Sequence, residues 1–155
     1  MRLVALALAT SFGIGYVPYA PGTFGSAVGL LLWWLLPHAV SGQLAAIAIV
    51  FVLGSWSGNI AERHFGAIDP GPVVIDEVMG MWITLLLNPV GWQGAVIAFF
   101  LFRLFDVFKP YPADRLERIP GGVGVMADDG MAAIYANLAL RLLIAVFGRM
   151  WHWAL

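Results

Sequence analysis

The sequence predicts an all-α integral membrane protein: a compact multi-helix body of about four membrane-embedded helices plus a short N-terminal segment. Three observations carry this expectation. Of 155 residues, 61% are hydrophobic and only 11% charged, and the mean hydropathy of +0.88 lies far above that of soluble domains. No stretch alternates with period two, so strands are not indicated. Charge is also segregated: residues 3–61 and 78–102 carry none, and apart from Arg2, Arg141 and Arg149 every charged residue falls between Glu62 and Asp129.

The elements follow in order. Residues 1–14 hold one Arg, a short apolar run and small residues, which loosely matches a signal peptide. Because the chain stays apolar past any cleavage point, a short membrane-embedded or interfacial segment is the better expectation. A spanning helix needs roughly 20 apolar residues, and residues 26–40 and 43–61 read as two helices turning at PHAVSG. Residues 76–87 and 92–108 form a second pair, joined at NPVGW where Pro89 cannot continue a helix and the hairpin penetrates only partway. A last helix covers residues 128–147, and one domain, residues 1–155, contains everything. Arg63, Arg103, Lys109, Arg115 and Arg118 flank the loops at 62–75 and 109–127, which places both loops on the cytoplasmic side. Arg149 opposes that orientation mildly, unless the tail folds back along the interface.

Composition excludes several functions. A net charge of −1 gives no broad electrostatic grip on nucleic acid. With no cysteine there is no disulfide, thiolate ligand or cysteine nucleophile. His38, His64 and His152 fall outside the motifs below and read as interfacial or loop histidines.

Four motifs stand out. PGTFGS, residues 21–26, reads as an ordinary helix start with Thr23 or Ser26 as cap, or as an anion nest. DEVMGMWI puts Asp76 and Glu77 in a helix's first turn, where acids complement the dipole but also repel each other at a membrane boundary. In FRLFDVFKPYP, Arg103, Asp106 and Lys109 recur every third residue and form one charged stripe, either snorkelling into headgroups or set to meet a metal and a phosphate. GGVGVMADDG reads as a glycine loop, with Gly122 and Gly124 exposing backbone N–H groups, that leads to Asp128 and Asp129 at a helix start.

Together Asp76, Glu77, Asp106, Asp128 and Asp129 make a hard-oxygen ligand set suited to Mg²⁺ rather than to a softer metal. Asp128 is expected to cap or support, and Asp129 to reach the cation. Thr23, Ser26, Arg103, Lys109, Gly122 and Gly124 are the candidate phosphate contacts. Asp76, Asp106 or Asp129 would orient a water or itself attack phosphorus, and the residues leave that choice open. Helix 92–108 and the final helix offer apolar walls beside these groups.

The succession PGTFGS, DEVMGMWI, FRLFDVFKPYP and GGVGVMADD, in this order and spacing, resembles the phosphatidylglycerophosphatase A family of bacterial membrane lipid phosphatases. The resemblance runs from about Gly15 to the final helix. It implies Mg²⁺-dependent removal of the terminal phosphate of phosphatidylglycerophosphate, giving phosphatidylglycerol at the cytoplasmic face of the inner membrane. By that resemblance Asp76, Glu77, Arg103, Asp106, Lys109, Asp128 and Asp129 fall on the family's acidic and basic positions. Two other functions compete: a transporter or proton relay with Asp76, Glu77 and Asp106 along a pathway, and a structural subunit of a lipid-synthesis complex anchored by tryptophans.

Overall fold

The computed structural model describes residues 1–151, with side-chain surroundings up to residue 147. His152 and any returning tail lie outside the described residues. The described residues form seven α-helices and no strand: α1 (Arg2–Ala9), α2 (Pro21–Trp33), α3 (Val40–Phe65), α4 (Ile75–Leu85), α5 (Trp92–Phe108), α6 (Ala113–Leu116) and α7 (Gly122–Trp151).

Helix boundaries follow local chemistry. Pro21 sits at the first position of α2, where its fixed φ is already helical and its missing N–H costs nothing. PGTFGS is therefore the first turn and a half of α2 rather than the lead-in to a helix starting at Ser26. α3 ends at Gly66, whose φ of 72° is the left-handed conformation that glycine tolerates, and its N–H donates to the Glu62 carbonyl. α4 ends at Leu85, two residues earlier than expected. Its last carbonyls are covered from another helix, since Asn137 Nδ2 of α7 donates to the carbonyls of Ile83, Thr84 and Leu86. The Ile83 carbonyl also accepts the Leu86 N–H and the Thr84 carbonyl Asn88 Nδ2, while the Leu86 carbonyl accepts from Asn137 and Arg141 of α7.

The largest departure from the sequence reading is at GGVGVMADDG. It is no loop: α7 begins at Gly122, so Asp128 and Asp129 lie well inside the helix and neither is its N-cap. Glycine disfavours helices intrinsically, but here close packing decides. A Cβ on Gly122 would lie 2.0 Å from the Ser55 carbonyl oxygen, and a Cβ on Gly58 would lie 2.9 Å from Gly122 Cα. Between helices in lipid, where burying apolar surface gains little, such close backbone approach supplies the packing.

α7 packs against α3, α4, α5 and α6, while α2 lies on α4 and α1 on α3. Trp82 Nε1 of α4 donates to the Gly29 carbonyl, fastening α2 to α4. Phe102 fills the space between α4, α5 and α7 with Met81, Leu85 and Leu140 around it. α1 ends beside the loop at 66–74, where the Val74 N–H donates to the Ala9 carbonyl at 2.8 Å. The N-terminal segment thus braces the backbone two residues before Asp76.

Two helices are long and apolar enough to cross a membrane, Val40–Phe65 and Gly122–Phe147, and only 22% and 28% of their apolar windows are buried within the protein. Val52, Phe100 and Leu142 are 64%, 66% and 65% exposed. An apolar surface this open fits lipid rather than water. α2, α4 and α5, with 13, 11 and 17 residues, are shorter than the roughly 20 needed for a full span.

Candidate active site

The chain reverses direction between α2 and α3, α3 and α4, α4 and α5, and α5 and α7. The N-termini of α2, α4 and α7 therefore share one end of the bundle with the C-termini of α3 and α5. The first turns of α2 and α4 border the cavity and bring two partial positive helix ends to it, which favours negative groups there. A cavity of about 510 Å³ opens among them, lined by Pro21 and Gly22 of α2, Asp76 and Glu77 of α4, Arg103 and Asp106 of α5, Asp129 of α7, and Asp69, Lys109 and Glu117 of the loops. Six acids face two cations on these walls.

The acids divide into two triplets. Asp76, Glu77 and Asp129 each turn a carboxylate oxygen to within 4.8 Å of the others, and Asp69, Glu117 and Asp128 do the same. In the first triplet Glu77 Oε2 and Asp129 Oδ2 are buried and have no hydrogen-bond partner. Asp76 Oδ1 accepts the Glu77 N–H at 3.1 Å. The second triplet already contains a cation. Lys109 Nζ lies 2.6 Å from Asp128 Oδ2 and 3.0 Å from Glu117 Oε1, leaving Asp128 Oδ1 without a partner.

Arg103 ties the first triplet to α5. Its Nη1 lies 2.7 Å from Asp106 Oδ2 and 3.8 Å from Glu77 Oε1, and it reaches Ser26 Oγ at 3.5 Å. Ser26 Oγ itself donates to the Gly22 carbonyl. Gly22 has no room for a side chain: a Cβ there would lie 2.2 Å from Glu77 Oε1 and 2.9 Å from Arg103 Nη1. The first turn of α2 thus closes directly over the Glu77–Arg103 pair.

Outside the apolar body, two ionisations are displaced. Burial, with Asp128 close by, pushes the Asp69 carboxyl up to about 6. Burial works against charge on Lys109, but its hydrogen bond to Asp128, the charge of that residue and the bond to Glu117 outweigh it and raise the ammonium above its usual range. Lys109 is therefore a standing cation at neutral pH.

Of the sequence-predicted residues, Asp76, Glu77, Arg103, Asp106, Lys109 and Asp129 line the cavity, with Asp128 buried behind Lys109. Thr23 is absent from the lining and Ser26 is buried beneath it. Gly122 and Gly124 offer no free N–H to a phosphate, since the first donates to Asn59 Oδ1 and the second to the Gly121 carbonyl. His38 lies between α2 and α3, and His64 hydrogen-bonds with Arg2.

Sequence reasoning missed four residues. Asp69 and Glu117 complete the second triplet. Glu62 accepts the Asp69 N–H at 3.2 Å and the Gly121 N–H at 2.8 Å, while Asn59 holds Gly122, so one turn of α3 clamps both loops over the site. The available signal was scarcity, because Glu62 is the first charge after 59 uncharged positions.

A second, apolar pocket of about 570 Å³ lies between α3, α4 and α7. Of the two helices expected to offer apolar walls, α7 lines this pocket and α5 does not. Ala95, Ala98 and Phe102 close the space between α5 and α7 against Ala132, Ala133 and Ala136.

A helical body with an apolar exterior, gathering carboxylates and cations at converging helix N-termini, defines a membrane-associated enzyme that handles phosphate. The chain belongs to the phosphatidylglycerophosphatase A family, whose model matches residues 7–144. It is similar to the phosphatidylglycerophosphatase A of Haemophilus influenzae, 38% identical over 86% of this chain and 84% of the relative. The Escherichia coli phosphatidylglycerophosphatase A is 35% identical over 82% and 76%. A Bacteroides thetaiotaomicron protein with the provisional name phosphatidylinositol-3-phosphatase is 40% identical over 91% and 94%. No solved structure matches. The protein is a phosphatase of this family.

Proposed function

We propose that the protein is a Mg²⁺-dependent phosphatase that removes the terminal phosphate of phosphatidylglycerophosphate, yielding phosphatidylglycerol for phospholipid and cardiolipin synthesis. The observation that carries this reading is the pair of orphaned buried oxygens, Glu77 Oε2 and Asp129 Oδ2, in a cavity they share with Arg103. Buried carboxylate oxygens without partners are costly, and a cation would satisfy them.

The donor set fits a hard divalent ion, being all oxygen and carboxylate-rich. Asp76, Glu77 and Asp129 would hold it. When bound, such an ion neutralises phosphate oxygens and polarises a water. Arg103 and Lys109 bind the remaining phosphate oxygens from two sides of the cavity and stabilise charge on the transferring group. Asp106, already anchored to Arg103, takes the proton of the attacking water. The water oxygen forms the new bond to phosphorus, the bond to the glycerol oxygen breaks, and the leaving oxygen takes the proton that Asp106 received from the water.

The site end would face the cytoplasm of the inner membrane, supported by Arg63, Arg115 and Arg118 in or beside the loops there. α3 and α7 would span, with α2, α4 and α5 embedded beside them to partial depth. A pathway for ions or protons has less support, because the cavity acids gather at one end of the bundle.

The relative named for phosphatidylinositol-3-phosphatase motivates a second substrate. Purified protein should release phosphate from phosphatidylglycerophosphate in Mg²⁺, faster than from phosphatidylinositol 3-phosphate, and not in a chelator. If wild type released none from either lipid, and Asp129→Asn behaved identically, the phosphatase mechanism would be abandoned; preference for the inositol lipid would move the substrate.

A further inference from the structure

The apolar pocket lies beside the acid-lined cavity, between the two helices long and apolar enough to cross a membrane. Ile47 and Phe51 of α3, Ile83 of α4, Leu116 of α6, and Ala127 and Ile134 of α7 line it. Three features join the two spaces. Asp76, Met79 and Ile83 fall on one stripe of α4, so the carboxylate heads a column that continues into the apolar lining. Glu117 lines the polar cavity and the preceding Leu116 the apolar one. On α7, Asp129 faces the acids, whereas Ala127 and Gly130 face the pocket.

We infer that this pocket is the seat of one acyl chain of the lipid whose phosphomonoester enters the polar cavity. The inference rests on the phosphatase reading and adds the chain-binding site to it. Dimensions agree. From Met126 to Ile134 the α7 wall rises roughly 12 Å, close to half of the ~30 Å hydrocarbon core. The volume of about 570 Å³ is that of a ligand site. Val52 and Ile134 at its lip are exposed, so a chain can slide in sideways from the bilayer. Met79 and Met126, both flexible, form the wall toward the acids and can adapt to the glycerol. Only the chain beneath a bound headgroup is held in this way, which distinguishes a substrate seat from the general lipid coat.

The test uses the full chain in vesicles of phosphatidylcholine. A lipid with a diazirine midway along one acyl chain is photolysed, once with a phosphomonoester headgroup and once with a choline headgroup. The phosphomonoester lipid should label residues 44–52 and 126–134 at least fivefold more than the choline lipid does. Equal labelling by both, or labelling spread evenly onto α5, would mean ordinary bilayer contact and overturn the inference. Kinetics give an independent measure. Ala48→Trp, on the lipid-exposed α3 wall, should lower kcat/KM about tenfold for a long-chain substrate. It should leave turnover of a dihexanoyl analogue unchanged, whereas equal effects on both would count against the seat. Absence of turnover by wild type, with selective labelling intact, would instead reject the phosphatase mechanism while keeping the lipid site.

Discussion

The two acid triplets border one cavity, Asp128 from behind Lys109, and are built from the same residue types, yet their electrostatic states differ. Asp69, Glu117 and Asp128 surround Lys109, so the protein supplies its own cation there. Asp76, Glu77 and Asp129 have only the guanidinium of Arg103 at their edge and retain two buried oxygens with no partner. A carboxylate cluster is thus not one kind of site. Where a lysine fills it, the cluster positions that lysine and leaves Asp128 Oδ1 alone unbonded; where Glu77 and Asp129 each keep an orphaned oxygen, the proposed cation would find its ligands.

The strongest challenge to this contrast is Asp129→Asn. Activity should fall on the order of 10³-fold with loss of the Mg²⁺ response, measured as phosphate release across a Mg²⁺ titration. Asp128→Asn should retain the Mg²⁺ midpoint, and equal shifts at both positions would erase the distinction between the triplets. Next comes Lys109→Met, which strands the Asp128 carboxylate and should cost about 3 kcal/mol of stability by thermal unfolding in detergent. Adding Asp128→Asn should restore stability but not activity; a double variant as unstable as the single one would contradict the pairing. Glu62→Gln weakens the clamp on both loops and should cost about 1–2 kcal/mol. Faster amide exchange at Asp69 and Gly121 would report it, and unchanged exchange at both would remove Glu62 from that role. Smallest is Glu117→Gln, whose half-exposed pair with Lys109 should change kcat about twofold or less. A loss matching that of Asp129→Asn would show the second triplet to be as critical as the first.

How far the sequence exposed this arrangement depended on how rare each signal was. Asp76, Glu77, Arg103, Asp106, Lys109 and Asp129 interrupt long apolar runs, and a charge in such a setting stands out because it is expensive there. The limits of α5 were equally plain, since Gly91 precedes it and Lys109-Pro110 must end it. Asp69 and Glu117 sit in polar loops, where acids usually just meet solvent, so nothing separated them from Asp114. Gly122 and Gly124 misled because intrinsic propensity argues for a loop. Gly122 is helical where α3 approaches closely and Gly124 where the Ile119 carbonyl does, and a single sequence carries no such distances.

The three-carbonyl contact of Asn137 bears on the order in which the molecule is made. α7 is the last described helix along the chain, yet it supplies Asp129 to the cavity and brings Asn137 to the carbonyl end of α4. Without α7 in place, the Leu86 carbonyl lacks the bonds from Asn137 and Arg141. The contact that bonds the Leu86 carbonyl thus comes from the same helix that completes the first acid triplet with Asp129.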